Sequence, residues 1–261
     1  RDRLPVFAWG TAIAALTLTV VTPILGVANA FLVLDREAGT HILTGSSGAR
    51  AYEHLYWFFA RPALGVMTLL AVAIVSEVIP VMVRRPLAGR PVVVWALGGI
   101  AVLSMVSYGS SLSTTHQSAA AQDVFMVAAL ALAAVTLVPV GAWIVTIAGG
   151  QLRRSAATAF ALGGTITLTV AALASVFLAS LPLSVQLSGT AYDAAQLDYL
   201  VLGAVLFAAF SGLFYWWPKL TGRVLDERLG IAQYLLLFVG LNTALIPQFM
   251  LGVLGLPENS F

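Results

Sequence analysis

Seven apolar stretches recur along this 261-residue chain, and they constrain its fold more than any other feature. A helix needs about 20 residues to cross the hydrocarbon core of a bilayer, and each stretch supplies them. Only 9% of the residues are charged and 60% are hydrophobic, so a water-soluble fold could not bury the apolar surface. The sequence predicts an all-α, polytopic transmembrane bundle forming one domain over residues 1–261. Its predicted spans cover residues 6–34, 55–82, 91–113, 124–148, 156–180, 195–217 and 231–254.

Basic residues favour one set of the loops between these spans. The richer side carries Arg1, Arg3, Arg84, Arg85, Arg90, Arg153, Arg154, Lys219, Arg223 and Arg228. The other side carries Arg36 and Arg50, whereas Arg61 lies inside a span. Because cytoplasmic loops are enriched in Lys and Arg, this asymmetry predicts a cytoplasmic N-terminus in a bacterial or archaeal inner (plasma) membrane. We expect the first apolar stretch to be a span and not a cleaved signal peptide.

Composition excludes several kinds of chemistry. The chain has no cysteine, which excludes a disulfide framework, a thiolate metal site and a thiol nucleophile. Its three histidines, His41, His54 and His116, are not spaced at i, i+3 or i+4, so no local metal motif exists. We expect His54 at the end of a loop and the other two exposed. A net charge of +2 is too small to indicate a nucleic-acid partner.

Ionisable residues inside spans are costly and often functional. Arg61 and Asp198 lie near the predicted external ends of their spans, whereas Glu77 lies near a cytoplasmic end, where it can reach lipid headgroups or pair with a loop arginine. The topology predicts a polar cluster towards the outer leaflet, and interhelical hydrogen bonding alone could explain it. Its members are Arg61, Ser110, Ser111, Gln196 and Asp198. Aromatic residues near span ends, Trp57 among them, are typical of an interfacial belt.

Several segments resemble subunit I of the haem–copper (cytochrome c) oxidases. The most specific is Tyr215-Trp216-Trp217-Pro218-Lys219-Leu220-Thr221-Gly222-Arg223, followed by Glu227-Arg228-Leu229-Gly230. Residues 4–9, 34–36, 52–59, 179–187, 247–248 and 251–257 also match. Order and spacing agree over nearly the whole chain, apart from a few residues missing around 140–148. The resemblance implies family helices five to eleven, without the first four and the last.

The departures from the family pattern all fall on cofactor ligands. The copper-ligating His-Pro-Glu-Val-Tyr reads Arg61-Pro62-Ala63-Leu64-Gly65, and the His-His copper pair reads Ser110-Ser111. The His-Phe-His that ligates both haems reads Gln196-Leu197-Asp198, the magnesium-site His-Asp reads Ser188-Gly189, and the propionate-binding arginines read Glu258-Asn259. Because copper and haem iron need imidazole at such sites, we expect no haem, copper or magnesium and no catalytic residue.

The resemblance therefore implies a non-catalytic, subunit I-like protein, a structural or accessory part of a respiratory membrane complex. Its expected partners are the lipid bilayer and other membrane subunits. One alternative is half of a split terminal oxidase, contributing to electron transport and oxygen reduction with cofactors held by a partner chain. Another is a conduit or small-ligand-binding protein that uses the vacated cofactor cavity.

Arg61 has two alternative placements. We expect it to fill the former copper region and to hydrogen-bond Ser110, Ser111 or Gln196 before Asp198. A regular helix turns Asp198 about 200° away from Gln196, which disfavours a direct salt bridge. The alternative is that Arg61 extends outward to the external headgroups.

Overall fold

A computed structural model describes residues 4–43, 48–112 and 118–258. Its helices are α1 (Val6–Glu37), α2 (Gly48–Val83), α3 (Arg90–Val106), α4 (Ala119–Ala148), α5 (Ala156–Ala179), α6 (Leu181–Leu187), α7 (Ala191–Asp198), α8 (Leu206–Thr221) and α9 (Glu227–Val253). A 3₁₀ turn, Ser107–Ser111, extends α3, and a π-helical segment, Tyr199–Val205, joins α7 to α8. Seven of the resulting helical rods are long and apolar enough to span a membrane, which confirms the predicted all-α bundle of seven spans.

Two helices begin earlier than the apolar pattern predicts. The second span begins at Gly48 and the sixth at Ala191, not near residues 55 and 195. Apolar windows detect the part of a helix that crosses hydrocarbon, whereas a helix can continue into the headgroup region with polar residues. His54 consequently lies inside α2, with its ring centroid 6.1 Å from that of Tyr108, and the prediction of a loop-end position is wrong.

The centre of the bundle is α2, which packs against α1, α3, α4, α5 and α8. Its residues Leu69, Val72 and Val78 are fully buried. In contrast, only 11% of the most apolar window of α9 is buried, and Leu236 on that helix is 76% exposed. Lipid is as apolar as a protein core, so apolar residues on the outer helices need no protein cover.

The loops of the arginine-rich set gather at one end of the bundle, called here the basic end (residues 84–89, 149–155 and 222–226). Arg153 N–H donates to Met82 C=O at 3.1 Å, and Ala88 N–H donates to Thr146 Oγ1 at 3.0 Å. Glu227 Oε2 accepts the Ala156 N–H at 2.6 Å and so satisfies a donor at the start of α5 that has no intrahelical partner. The alternation of loops is therefore the predicted one, and which end faces the cytoplasm stays a prediction.

Polar contacts inside the bundle fix neighbouring helices to each other. The buried Trp143 Nε1–H on α4 donates to Ser76 Oγ on α2 at 2.9 Å. Ser211 Oγ on α8 donates to Ala157 C=O on α5 at 2.9 Å. Such bonds stabilise helix pairs in lipid, where the hydrophobic effect does not drive helices together. Glu77, in contrast, is partly exposed and forms no ion pair within the described ranges, so the predicted pairing with a loop arginine is not found there.

Candidate functional site

A cavity of about 270 Å³ lies between α2, α4, α5, the 3₁₀ turn after α3 and the start of the sixth span. Its walls are apolar for much of their area, with Leu64, Leu132 and Leu168 among the lining residues. The polar lining residues are Arg61, Thr68, Ser110, Ser111, Thr136, Ser175, Ser188, Asp193 and Gln196. These residues lie away from the basic end, so the cavity occupies the opposite half of the bundle.

The backbone around this cavity is irregular, and small residues bring the helices close together. A Cβ built at Gly65 on α2 would lie 2.5 Å from Ser104 Oγ on α3, so only glycine permits this approach one turn from Arg61. Pro62 lies inside α2 and has no N–H, which leaves the carbonyl of Phe58 without its intrahelical donor. On the far wall, the π-helical segment contributes Leu200. Single π-turns of this kind often mark functional sites.

Arg61 is the single cation among the lining residues. Its side chain is accessible through the cavity, but its Nε is fully buried and has no hydrogen-bond partner. Within the described ranges, Arg61 forms no hydrogen bond and no ion pair. A buried N–H without an acceptor costs about 1–3 kcal/mol, more on a charged group. A hydrogen-bond acceptor placed beside the Arg61 guanidinium would therefore be stabilising.

The predicted clustering of Arg61 with Ser110, Ser111 and Gln196 is confirmed, because all four line this one cavity. The predicted hydrogen bonds to Arg61 are wrong. Ser110 Oγ donates to Ser107 C=O at 2.7 Å, and Gln196 Nε2 donates to Ala171 C=O at 3.3 Å. Ser110 lies close to a carbonyl of its own helical segment, and Gln196 lies close to a carbonyl of a neighbouring helix. These carbonyls accept the two hydrogen bonds, and neither side chain bonds Arg61.

Asp198 is not among the lining residues, which agrees with the helical argument that turns it away from Gln196. Ser188 and Gly189, placed by the resemblance at a magnesium site, do line the cavity. His41 is exposed as expected. His116 and Asn259 lie outside the described residues.

Asp193 is the carboxylate that sequence reasoning missed. It lines the cavity, and its charge acts on Arg61. Thr190 caps α7 by accepting the Tyr192 N–H at 3.2 Å, and Asp193 Oδ2 accepts the Gly189 N–H at 3.4 Å. Asp193 takes the N–H of the residue before the cap and not that of Thr190, so this is not a full capping box, but the Thr-x-x-Asp pattern was visible in the sequence. It starts the helix at Ala191 and places Asp193 one turn before Gln196 on the same face.

The segment that precedes Asp193 is held by the C-terminal end of the described chain. Ala191 N–H donates to Leu256 C=O at 2.9 Å, and Glu258 N–H donates to Gly189 C=O at 3.0 Å. A Cβ at Gly252 of α9 would meet the Tyr192 backbone nitrogen at 2.1 Å. The start of the sixth span, and with it Asp193 and Gln196, is thus fixed from outside the cavity.

A second cavity of about 150 Å³ adjoins the first and shares Ser110, Leu178 and Ala179 with it. Gln122, Phe125 and Ser184 also line it, from the start of α4 and from α6. Because these elements lie at the end opposite the basic end, the second cavity extends the first towards that surface. Trp57 lines the larger cavity, and its place in an interfacial belt stays a prediction.

The lining residues do not fit a haem or copper site. None of them is a histidine, and the described ranges contain no group of three or more His, Cys, Asp or Glu residues placed to hold a metal. Copper and haem iron at such sites are bound through imidazole or sulfur, and neither is present on these walls. What the walls offer is one guanidinium, one carboxylate, several hydroxyls and a carboxamide.

Relatives of this chain are oxidase subunits about twice its length. The cytochrome c oxidase subunit 1 of Thermostichus vulcanus is 31% identical over 259 residues, which are 98% of this chain and 47% of that protein. The probable cytochrome c oxidase subunit 1-beta of Nocardia farcinica is 35% identical over 257 residues, or 98% of this chain and 43% of that protein. The chain therefore spans less than half the length of these relatives.

The fold matches as well. A solved structure of a haem–copper terminal oxidase dimer superposes on 99% of this chain with a TM-score of 0.88, at 16% sequence identity and over 49% of its own chain. A family model described as cytochrome c and quinol oxidase polypeptide I matches residues 1–261. The chain belongs to the cytochrome c and quinol oxidase polypeptide I family.

Proposed function

We propose that this multi-pass membrane protein holds neither haem nor copper on its own helices and serves as a structural or accessory membrane subunit. The cavity lining carries the proposal. Arg61, Ser110, Ser111 and Gln196 surround one cavity, and the sequence resemblance implies imidazoles at these four positions in the family.

The chemistry of Arg61 supports this reading most strongly. A guanidinium has five N–H donors and no acceptor, and it stays protonated in proteins. It repels a metal cation that an imidazole would bind. Serine hydroxyls and a glutamine carboxamide are neutral oxygen groups and do not replace imidazole for copper or haem iron. An oxygen-reducing centre is therefore not expected on this chain alone.

The proposed partners follow from the names of the relatives, which are subunits of oxidases. This chain matches less than half of each one's length. Its helices nevertheless pack as in the family, around the buried core of α2. We propose that it lies in the lipid bilayer beside other membrane subunits of a respiratory complex.

Cofactor analysis of the purified chain tests this proposal. The full chain is extracted in mild detergent, haem is measured from the Soret band and the pyridine haemochrome, and copper is measured by elemental mass spectrometry. Both are expected well below one per chain, with no oxygen consumption when an electron donor is added. Stoichiometric haem or copper on the isolated chain refutes the proposal. A partner chain that co-purifies and carries all cofactors, with oxygen consumption, replaces it by the split-oxidase alternative.

A further inference from the structure

We propose that the cavity around Arg61 binds a small monocarboxylate with an apolar body, the carboxylate on Arg61 and the body against the leucine walls. This inference rests on the proposed function, because a haem or copper centre in the same volume would leave no room for such a ligand.

The charged side chain of Arg61 is the group that would bind a carboxylate. Its Nε is buried without an acceptor, and no carboxylate lies within ion-pair distance of it in the described ranges. Burying an unpaired charge is costly, so a site that keeps one is favourable when an anion pairs with it. The planar guanidinium matches a carboxylate with two parallel N–H···O bonds, a geometry that a point charge such as lysine does not offer.

Asp193 limits how many negative charges a bound ligand can carry. Its carboxylate already accepts the Gly189 N–H at 3.4 Å and lies in the first turn of α7, where the helix N-terminus stabilises a negative charge. Asp193 thus has a donor of its own, and its charge offsets that of Arg61 only at a distance, because no hydrogen bond or ion pair joins the two side chains in the part of the chain that the structure describes. The cavity consequently favours an anion, and because Asp193 lines the same cavity, it favours one negative charge over two.

The volume of the cavity and the composition of its walls determine the size and the apolar character of the ligand body. At about 30 Å³ for a water-sized group, a cavity of about 270 Å³ holds on the order of nine non-hydrogen atoms. Leu64, Leu132, Leu168 and Leu200 supply apolar walls. Ser111 lines the same cavity as Arg61, and its hydroxyl makes no hydrogen bond to any part of the chain that the structure describes. It is therefore available as a second donor to a carboxylate.

The second cavity is the route that we assign to the ligand. It shares the wall residues Ser110, Leu178 and Ala179 with the first cavity and lies on the side away from the basic end. A carboxylate arriving from that side meets Gln122 and Ser184 before it reaches Arg61. Polar residues along the route reduce the cost of moving a charged group through the outer part of the bundle.

Binding of pentanoate to the full chain in lipid nanodiscs tests the inference, with pentanamide as the neutral molecule of matched shape. Heat of binding is measured by titration calorimetry, and Trp57 provides a fluorescence signal from the cavity wall. We expect saturable pentanoate binding and at least about tenfold weaker pentanamide binding, since a charge-assisted hydrogen bond contributes one to two factors of ten. Loss of the fluorescence change in Trp57→Phe assigns the signal to this cavity.

Single substitutions test whether Arg61 is the residue that binds the carboxylate. Arg61→Gln should weaken pentanoate binding at least about tenfold, whereas Arg50→Gln, an exposed arginine on the same helix, should leave it unchanged. Asp193→Asn should tighten it by a few fold by removing the opposing charge. Equal binding of pentanoate and pentanamide, or no saturable pentanoate binding, overturns the inference. The comparison of acid with amide on the unaltered protein decides the question even where Arg61→Gln does not fold.

Haem and copper content measured on the same sample separates the two proposals. A cofactor-free sample that does not bind pentanoate overturns the ligand inference and leaves the proposed function standing. A sample with stoichiometric haem refutes the proposed function, whether or not pentanoate binds.

Discussion

Replacing Arg61 by methionine should stabilise the protein. Methionine has a similar length, and it removes a buried Nε–H that has no acceptor. An unsatisfied buried donor costs about 1–3 kcal/mol, and replacing buried charge by apolar groups of similar size is neutral or stabilising by about 1–4 kcal/mol. Because the rest of the guanidinium has some access through the cavity, we expect the lower part of this range, about 1–2 kcal/mol. With about 2–4 °C per kcal/mol for a chain of this size, the midpoint should rise by about 2–8 °C.

Thermal unfolding in one detergent, followed by tryptophan fluorescence, measures this shift. Arg50→Met is the matched control, since Arg50 is exposed on the same helix and its loss should change the midpoint little. Adding pentanoate should raise the unfolding midpoint of the unaltered protein and not that of Arg61→Met. The difference in midpoint between the two proteins should therefore become smaller. A fall in the midpoint on Arg61→Met would refute the reasoning, because it would mean that the guanidinium has acceptors that repay its burial.

Three further predictions follow from particular residues. Arg61→His should not recover copper by elemental analysis, because Ser110, Ser111 and Gln196 still offer no imidazole; copper bound by that single change would show that the site has been misread. Reporter fusions in the loop of residues 84–90 should report a cytoplasmic position, and an external signal there would reverse the topology. Ser76→Ala should cost about 1–3 kcal/mol by leaving the buried Trp143 indole N–H unsatisfied. In a Trp143→Phe background that cost should be much smaller, and an equal cost in both backgrounds would contradict the role of the hydrogen bond.

Span number and order were predictable from the sequence because lipid imposes a length and an apolar composition on each helix. The ends were less predictable, since polar residues such as Arg50 and Glu53 continue α2 beyond the apolar stretch. The sixth span illustrates the same limit. Reading Thr190 as an N-cap, with the acidic Asp193 in the first turn, places the helix start at Ala191, whereas composition alone places it near residue 195.

Four members of the candidate site were predictable, whereas Asp193 was missed and Asp198 lies outside the lining. The hydrogen bonds of the site were not predictable. Family spacing brought Arg61, Ser110, Ser111 and Gln196 to one cavity. Which acceptor each donor takes depends on distances of a few tenths of an ångström, and residue order does not contain them. Gln196 donates to Ala171 C=O across the interface with α5, a contact that requires the actual approach of two helices. The π-helical segment likewise depends on tertiary packing, since Tyr199 within it bonds Asn242 of α9 at 2.8 Å.

The separation between core and cavity explains how this fold can keep its shape when residues that line the cavity change. The fully buried residues of α2, Leu69, Val72 and Val78, run from the cavity level towards the basic end. Arg61 lies two turns before the first of them, on the stretch of α2 that faces the cavity. Most of the burial that holds the helices together is therefore independent of what the cavity residues are. Substitutions there change what the cavity can bind, and under the proposed function the guanidinium of Arg61 suits the cavity to anions and not to metal cations.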